Sequence, residues 1–156
     1  MKKMNNKGFS LVELIIVIAI MAILAGALAP ALIKYINKSR LSSDIQTGQT
    51  IAKACQTAMA NEIAFDSADA MFGSGSWIAA PSLGAASNEF ATEVNSIVDL
   101  KKVKTKAKKD LNGGALSGTY QVYVSTVTNQ VVVNIGGSTS IGTNQVFPDV
   151  STNLSK

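Results

Sequence analysis

Lys7-Gly8-Phe9-Ser10-Leu11-Val12-Glu13 stands directly ahead of an apolar run, and together they decide how the chain is built. No charged residue occurs from Leu14 to Ile33. Those 20 residues would span about 30 Å at helical rise, the thickness of a bilayer's hydrocarbon core. Lys2, Lys3 and Lys7 form a basic flank that holds the N-terminus on the cytoplasmic side. The first physical reading is a single membrane-spanning helix with its N-terminus inside.

Two features depart from an ordinary signal peptide. The run is longer than a secretory apolar core, and no small-x-small site cleanly ends it. Ala27-Leu28-Ala29 comes nearest, but Pro30 follows directly and opposes such cleavage. Glu13, moreover, places a carboxylate at the lip of the run. Carried to the bilayer centre it would cost about 2.5–3.5 kcal/mol, and less near the interface. A plain anchor would carry Leu there.

Lys-Gly-Phe-Ser-Leu-Val-Glu-Leu ahead of an apolar helix resembles the processing site of type IV prepilins and of their relatives, the pseudopilins. The resemblance covers roughly residues 2–40. In that family a dedicated peptidase cuts after the Gly and methylates the new amino terminus. Carried over, the cut falls between Gly8 and Phe9, Phe9 becomes the N-methylated first residue, and Glu13 the fifth. The ammonium of Phe9 and the carboxylate of Glu13 would then lie about one helical turn apart. A lone carboxylate is unfavourable among apolar helices, whereas one matched to a neighbour's ammonium is much less so. The pair therefore acts as a register device between subunits, which agrees with the role the family assigns to this Glu.

The composition narrows the rest. Three of the 14 basic residues lie in the leader, which leaves 11 against 10 acidic ones, so the net charge of +4 does not describe the processed chain. Near-neutrality argues against a general nucleic-acid footprint. There is one cysteine, Cys55, and no histidine. A single cysteine closes no intrachain disulfide, unlike many pilins and like the cysteine-poor ones commoner in Gram-positive bacteria. No paired nucleophile and base, metal-ligand set or phosphate-binding loop is evident, so neither an enzyme nor a cofactor is expected.

Along the chain, residues 1–8 read as a leader, 9–33 as the membrane and filament-core helix, 34–61 as its amphipathic continuation, and 62–156 as one small head. Gly26 allows close helix approach, and Pro30 removes a backbone hydrogen bond, so a weak point is expected over residues 26–30. Leu41, Ile45, Gly48, Ala52, Cys55 and Met59 make one narrow apolar stripe, with Ser42, Asp44, Gln46, Gln49, Lys53 and Gln56 opposite. Cys55 in the stripe reads as a buried, inert thiol.

Residues 62–86 lose periodicity and read as the variable loop of the family, with Trp77 pinning it to the head. Residues 87–100 suit a short helix capped by Ser87. Lys101, Lys102, Lys104, Lys106, Lys108 and Lys109 alternate in part with Val103, Thr105 and Ala107; both an edge strand and a helix fit. This cluster is a solvated edge, a contact with a neighbour's acidic patch, or an anionic-surface contact. No aromatic residue interleaves it, as single-strand stacking would require. Residues 112–114 form a turn. Residues 119–127 and 130–135 form a hairpin across Thr128-Asn129, whose Tyr120, Val122 and Val124 face the helix, and residues 141–150 supply one more short strand stopped by Pro148.

The expected fold is α+β, a long N-terminal helix on a small antiparallel sheet. The resemblance implies a structural subunit of a type IV pilus, a helical filament of identical copies serving twitching motility, adhesion or surface attachment. It also implies a prepilin peptidase and an inner-membrane platform with cytoplasmic ATPases as partners. The subunit would sit in the inner membrane before assembly and on the cell surface afterwards. The alternatives are a pseudopilin of a type II secretion or DNA-uptake machine and a DNA-binding minor pilin. Major secretion pseudopilins bind calcium through acidic residues near the C-terminus, where this chain has only Asp149 after Asp110. Asn37-Lys38-Ser39 and Asn153-Leu154-Ser155 match a short glycosylation pattern.

Overall fold

The computed structural model describes residues 8–73 and 75–155. The expectations for Lys2, Lys3 and Lys7 therefore lie outside the described residues. The chain divides between Ile36 and Asn37 into two units.

The first unit carries the start of helix α1 (Leu11–Met59). Every described residue up to Ile36 is exposed, including Leu14 to Leu24 and Leu28 to Ile33. A soluble helix this apolar would bury one side, so an all-round apolar surface fits a helix meant for lipid or for other helices. The chain stays helical through Gly26 and Pro30. The expected weak point is therefore no break in the helix. Pro30 still offers no amide to the Gly26 carbonyl.

The second unit holds the rest of α1, three more helices and a four-stranded sheet. In order these are α2 (Glu62–Phe72), β1 (Trp77–Ala79), α3 (Ala80–Ala85), α4 (Glu89–Ile97), β2 (Ser117–Ser125), β3 (Gln130–Gly136) and β4 (Gln145–Phe147). The strands lie in chain order and pair antiparallel throughout. The fold is thus α+β, as expected.

The helix stripe is broader than its sequence pattern. Leu41, Gly48, Ala52, Cys55 and Met59 are buried and Ile45 is half-buried, but Ile51, Ala54 and Ala58 are buried too. Alanines carry little hydrophobic signal, so this flank is quiet in the sequence. Tyr120, Val122 and Val124 are buried on alternate positions of β2. Gly48 is where α1 meets the sheet: a Cβ there would run into Val146 and touch the Tyr120 ring. Gly48→Val is therefore expected to lower head stability by about 1–3 kcal/mol through overpacking. Thermal melts of the purified chain in detergent check this, and an unchanged midpoint would mean that the helix does not seat here.

Residues 62–86 are more regular than the expected loop. Asn61 caps α2, its side chain accepting from the Ile63 amide at 3.0 Å, and Ala64, Ala68 and Phe72 are buried along one face. Gly73, at φ +55°, ends the helix. Trp77 does pin the segment, because β1 pairs with β2 and its ring lies 5.4 Å from that of Tyr123. The cap of α4 is Asn88 rather than Ser87, its side chain accepting from the Ala91 amide at 2.8 Å. Phe90 meets Phe72 edge-on at 5.8 Å and joins α4 to α2.

The β2–β3 turn takes four residues, since Ser125 pairs with Gln130. Asn129, at φ +52°, supplies the left-handed position that a two-residue turn would have asked of Gly. Gly136 ends β3, and β4 stops ahead of Pro148, as expected for Pro148.

Candidate functional site

Gly8 and Phe9 are both exposed. Nothing lies within 4 Å of a Cβ built at Gly8, and Phe9 is 84% exposed. Glu13 does not hang free. Its Oε2 accepts the Ser10 backbone amide at 2.9 Å, and the Leu14 amide bonds the Ser10 carbonyl at 3.2 Å. Ser10 precedes the helix and Glu13 is its third residue, so the carboxylate satisfies an amide that the helix start would otherwise leave unpaired. The acid also sits where the helix dipole favours negative charge. Ser-x-x-Glu ahead of an apolar run is the sequence signature of such a cap. Glu13 thus holds the amide of the residue next to Phe9.

Pro30 lies on the same exposed apolar helix, 17 positions beyond Glu13 in the chain. Gly8, Phe9, Glu13 and Pro30 all fall in the first unit. The lysine cluster falls in the second.

Residues 101–109 are neither the strand nor the helix that the sequence allowed. They run irregularly, with one isolated bridge between Lys109 and Ala115. The reason is Asp44. Its carboxylate is 1% exposed and accepts the Lys106 amide at 2.8 and 3.0 Å and the Ala107 amide at 2.7 Å. One side chain of α1 takes two successive amides, which a regular strand would point to opposite sides. The Tyr120 hydroxyl adds to the cluster, 3.2 Å from the Asp44 carbonyl oxygen. Burial, then the Asp44 charge, pushes the Tyr120 phenol well above its usual range. Asp44 was expected on the solvent side of the helix. It is instead the residue that fixes the lysine segment to α1.

The alternation within the segment survives without a strand. Val103 and Thr105 are half-buried and Ala107 buried, whereas Lys101, Lys102, Lys104, Lys106, Lys108 and Lys109 are exposed. Thr105 bonds the Ser117 and Gly118 carbonyls, and Asn37 reaches the Lys109 carbonyl at 2.9 Å. Lys102 forms an exposed ion pair with Asp99 at 2.7 Å, which lowers the acid's pKa and raises that of the amine. Such a pair contributes little to stability.

Cys55 is buried, and desolvation pushes its thiol up to about 12. At pH 8 the native thiol should resist a disulfide-exchange reagent over a period in which the denatured chain reacts fully. Rapid native labelling would contradict its burial. Among the described residues no cluster of His, Cys, Asp and Glu could hold a metal ion.

Comparison with known proteins meets this geometry at its N-terminal end. Residues 3–29 match the family model of the prokaryotic N-terminal methylation motif. A stretch of 52 residues is 48% identical to a type IV major alpha-pilin of Moraxella bovis, covering 31% of this chain and 33% of the relative. The match therefore spans about a third of that relative's length. No solved structure matches the chain.

Proposed function

We propose that this chain, a type IV pilin by its N-terminal segment, is a structural subunit of a surface filament that assembles through helix α1. The observation that carries the reading is the fully exposed apolar first part of α1, joined to the methylation motif. Before assembly the membrane covers that surface. In the filament the helices of other copies cover it, so lipid contact is exchanged for packing without exposing the helix to water. The work of the protein is assembly, not catalysis.

Processing precedes this step. A prepilin peptidase cuts between Gly8 and Phe9, where the backbone is open and exposed, and methylates the Phe9 amine. Glu13, already beside that position, then matches its charge to an ammonium of a neighbour and sets the axial register. Pro30 leaves the helix one hydrogen bond short, which lets α1 adjust to its neighbours. An inner-membrane platform and cytoplasmic ATPases drive the subunits outward to the cell surface, where the filament serves motility, adhesion or surface attachment.

Gly8→Val tests the reading. A β-branched residue before the cut should leave the leader attached, hold the chain in the membrane and abolish filaments in sheared surface material. A plain anchored protein would be indifferent to this substitution.

A further inference from the structure

Most of the head's charge falls in two stretches of the chain. Residues 54–100 hold six acids and no Lys or Arg; residues 101–109 hold six lysines and no acid. Among the described residues one ion pair, Lys102 with Asp99, joins them. The lysines run beside the first turns of α1 in the head: the Lys106 ammonium is 3.4 Å from Ser43 Oγ, its amide is on Asp44, and the Lys109 carbonyl is on Asn37. Glu62 and Glu93 lie at the other end of that stretch. Asn61 caps α2 there, and its amide nitrogen reaches Glu93 of α4 at 3.2 Å. From Asp44 to Met59 the helix rises about 22 Å, more than twice the screening length of about 8–10 Å in physiological salt.

Each group is also unrelieved where it stands. Glu62, Asp66 and Asp69 recur at spacings of four and three and so share one exposed face of α2. Glu89 and Glu93 repeat the four-residue spacing on α4, which packs on α2. Like charges at this spacing oppose the helices that carry them. Asp69 has a partner in the Thr126 hydroxyl; Glu62, Asp66 and Glu89 point their charge at solvent.

We propose that the acidic face of α2 and α4 on one copy receives the lysine strip of a second copy. The inference rests on the filament reading above. The two surfaces differ and lie at opposite ends of the head portion of α1, so the contact is head-to-tail. Such a contact extends a chain of copies unless its rotation happens to close a ring. Charge pairs across an interface choose the partner's orientation more than they add affinity. Cohesion thus comes from the apolar half of α1, and the heads select which neighbour fits.

The test is a charge exchange in cells making the full chain, read by the amount of chain sheared from the surface. The basic-side variant carries Lys104→Glu, Lys108→Glu and Lys109→Glu. Lys106 is left intact because of its contact with Ser43. The acidic-side variant carries Glu62→Lys, Asp66→Lys and Glu89→Lys. Each alone should reduce sheared chain at least about tenfold, since every repeat along the filament meets like charge. Both sets together should restore it, and that rescue also excludes misfolding of either variant. Wild-type yields from either single set overturn the contact and leave the lysines to another occupant, such as a nucleic acid. Two deficient single sets without rescue overturn it as well. Absence of the unaltered chain from the sheared fraction would instead defeat the filament reading itself.

Discussion

Glu13→Ala should remove the chain from surface filaments while leaving its processing and its folded head unchanged. The substitution deletes a carboxylate at the lip of the apolar run, where a neighbour's ammonium would otherwise be left without a counter-charge. Breaking such a pair in a dry setting costs about 3–5 kcal/mol, and every subunit would lose it. Filament yield should therefore fall at least about tenfold. The helix-start contact complicates this result, because Glu13 also accepts the Ser10 amide. Losing that contact frays the first turn by about 1 kcal/mol. Glu13→Gln separates the two roles. The amide oxygen still accepts from Ser10 but carries no charge. If register is the role, Gln fails as Ala does. A Gln variant that assembles normally would assign Glu13 to capping alone.

Asp44→Ala should be the most damaging single change in the head. It strips the Lys106 and Ala107 amides of their acceptor inside a closed site and leaves a methyl where a carboxylate filled the space. Each orphaned buried donor costs about 1–3 kcal/mol. A total near 3 kcal/mol would lower the melting midpoint by about 10 °C for a head of this size. Fluorescence of Trp77, the one tryptophan, reports it. Asp44→Asn keeps one acceptor oxygen and should fall between the two. A midpoint within 2 °C or so of the original for Asp44→Ala would mean that water replaces the carboxylate, and that the lysine segment is not held as described.

The contrast between these two acids explains what could be read in advance. Glu13 stands out because it interrupts an apolar run beside a Gly-Phe step, and its neighbourhood is local in sequence. Asp44 lies one turn from a stripe of apolar residues, and its partners are about 60 positions away. Its spacing of three from Leu41 and four from Gly48 puts it on the stripe's face, but its charge reads as solvent-facing. The long helix was legible from its charge-free run and apolar stripe, and the hairpin strands from their β-branched and aromatic residues. Helix α2 was not, since its buried face consists of Ala64, Ala68 and Phe72 and reads as weakly as a loop. The lysine segment kept its inward and outward alternation but not a regular strand, because its amides serve Asp44 rather than a ladder.

The central claim is that the chain is processed at Gly8 and displayed. The most direct test shears the cell surface and takes the intact mass of this protein in the released material. The account predicts an abundant species beginning at Phe9 with one added methyl group. A chain that still begins ahead of Gly8, or a processed chain confined to the membrane, would contradict it.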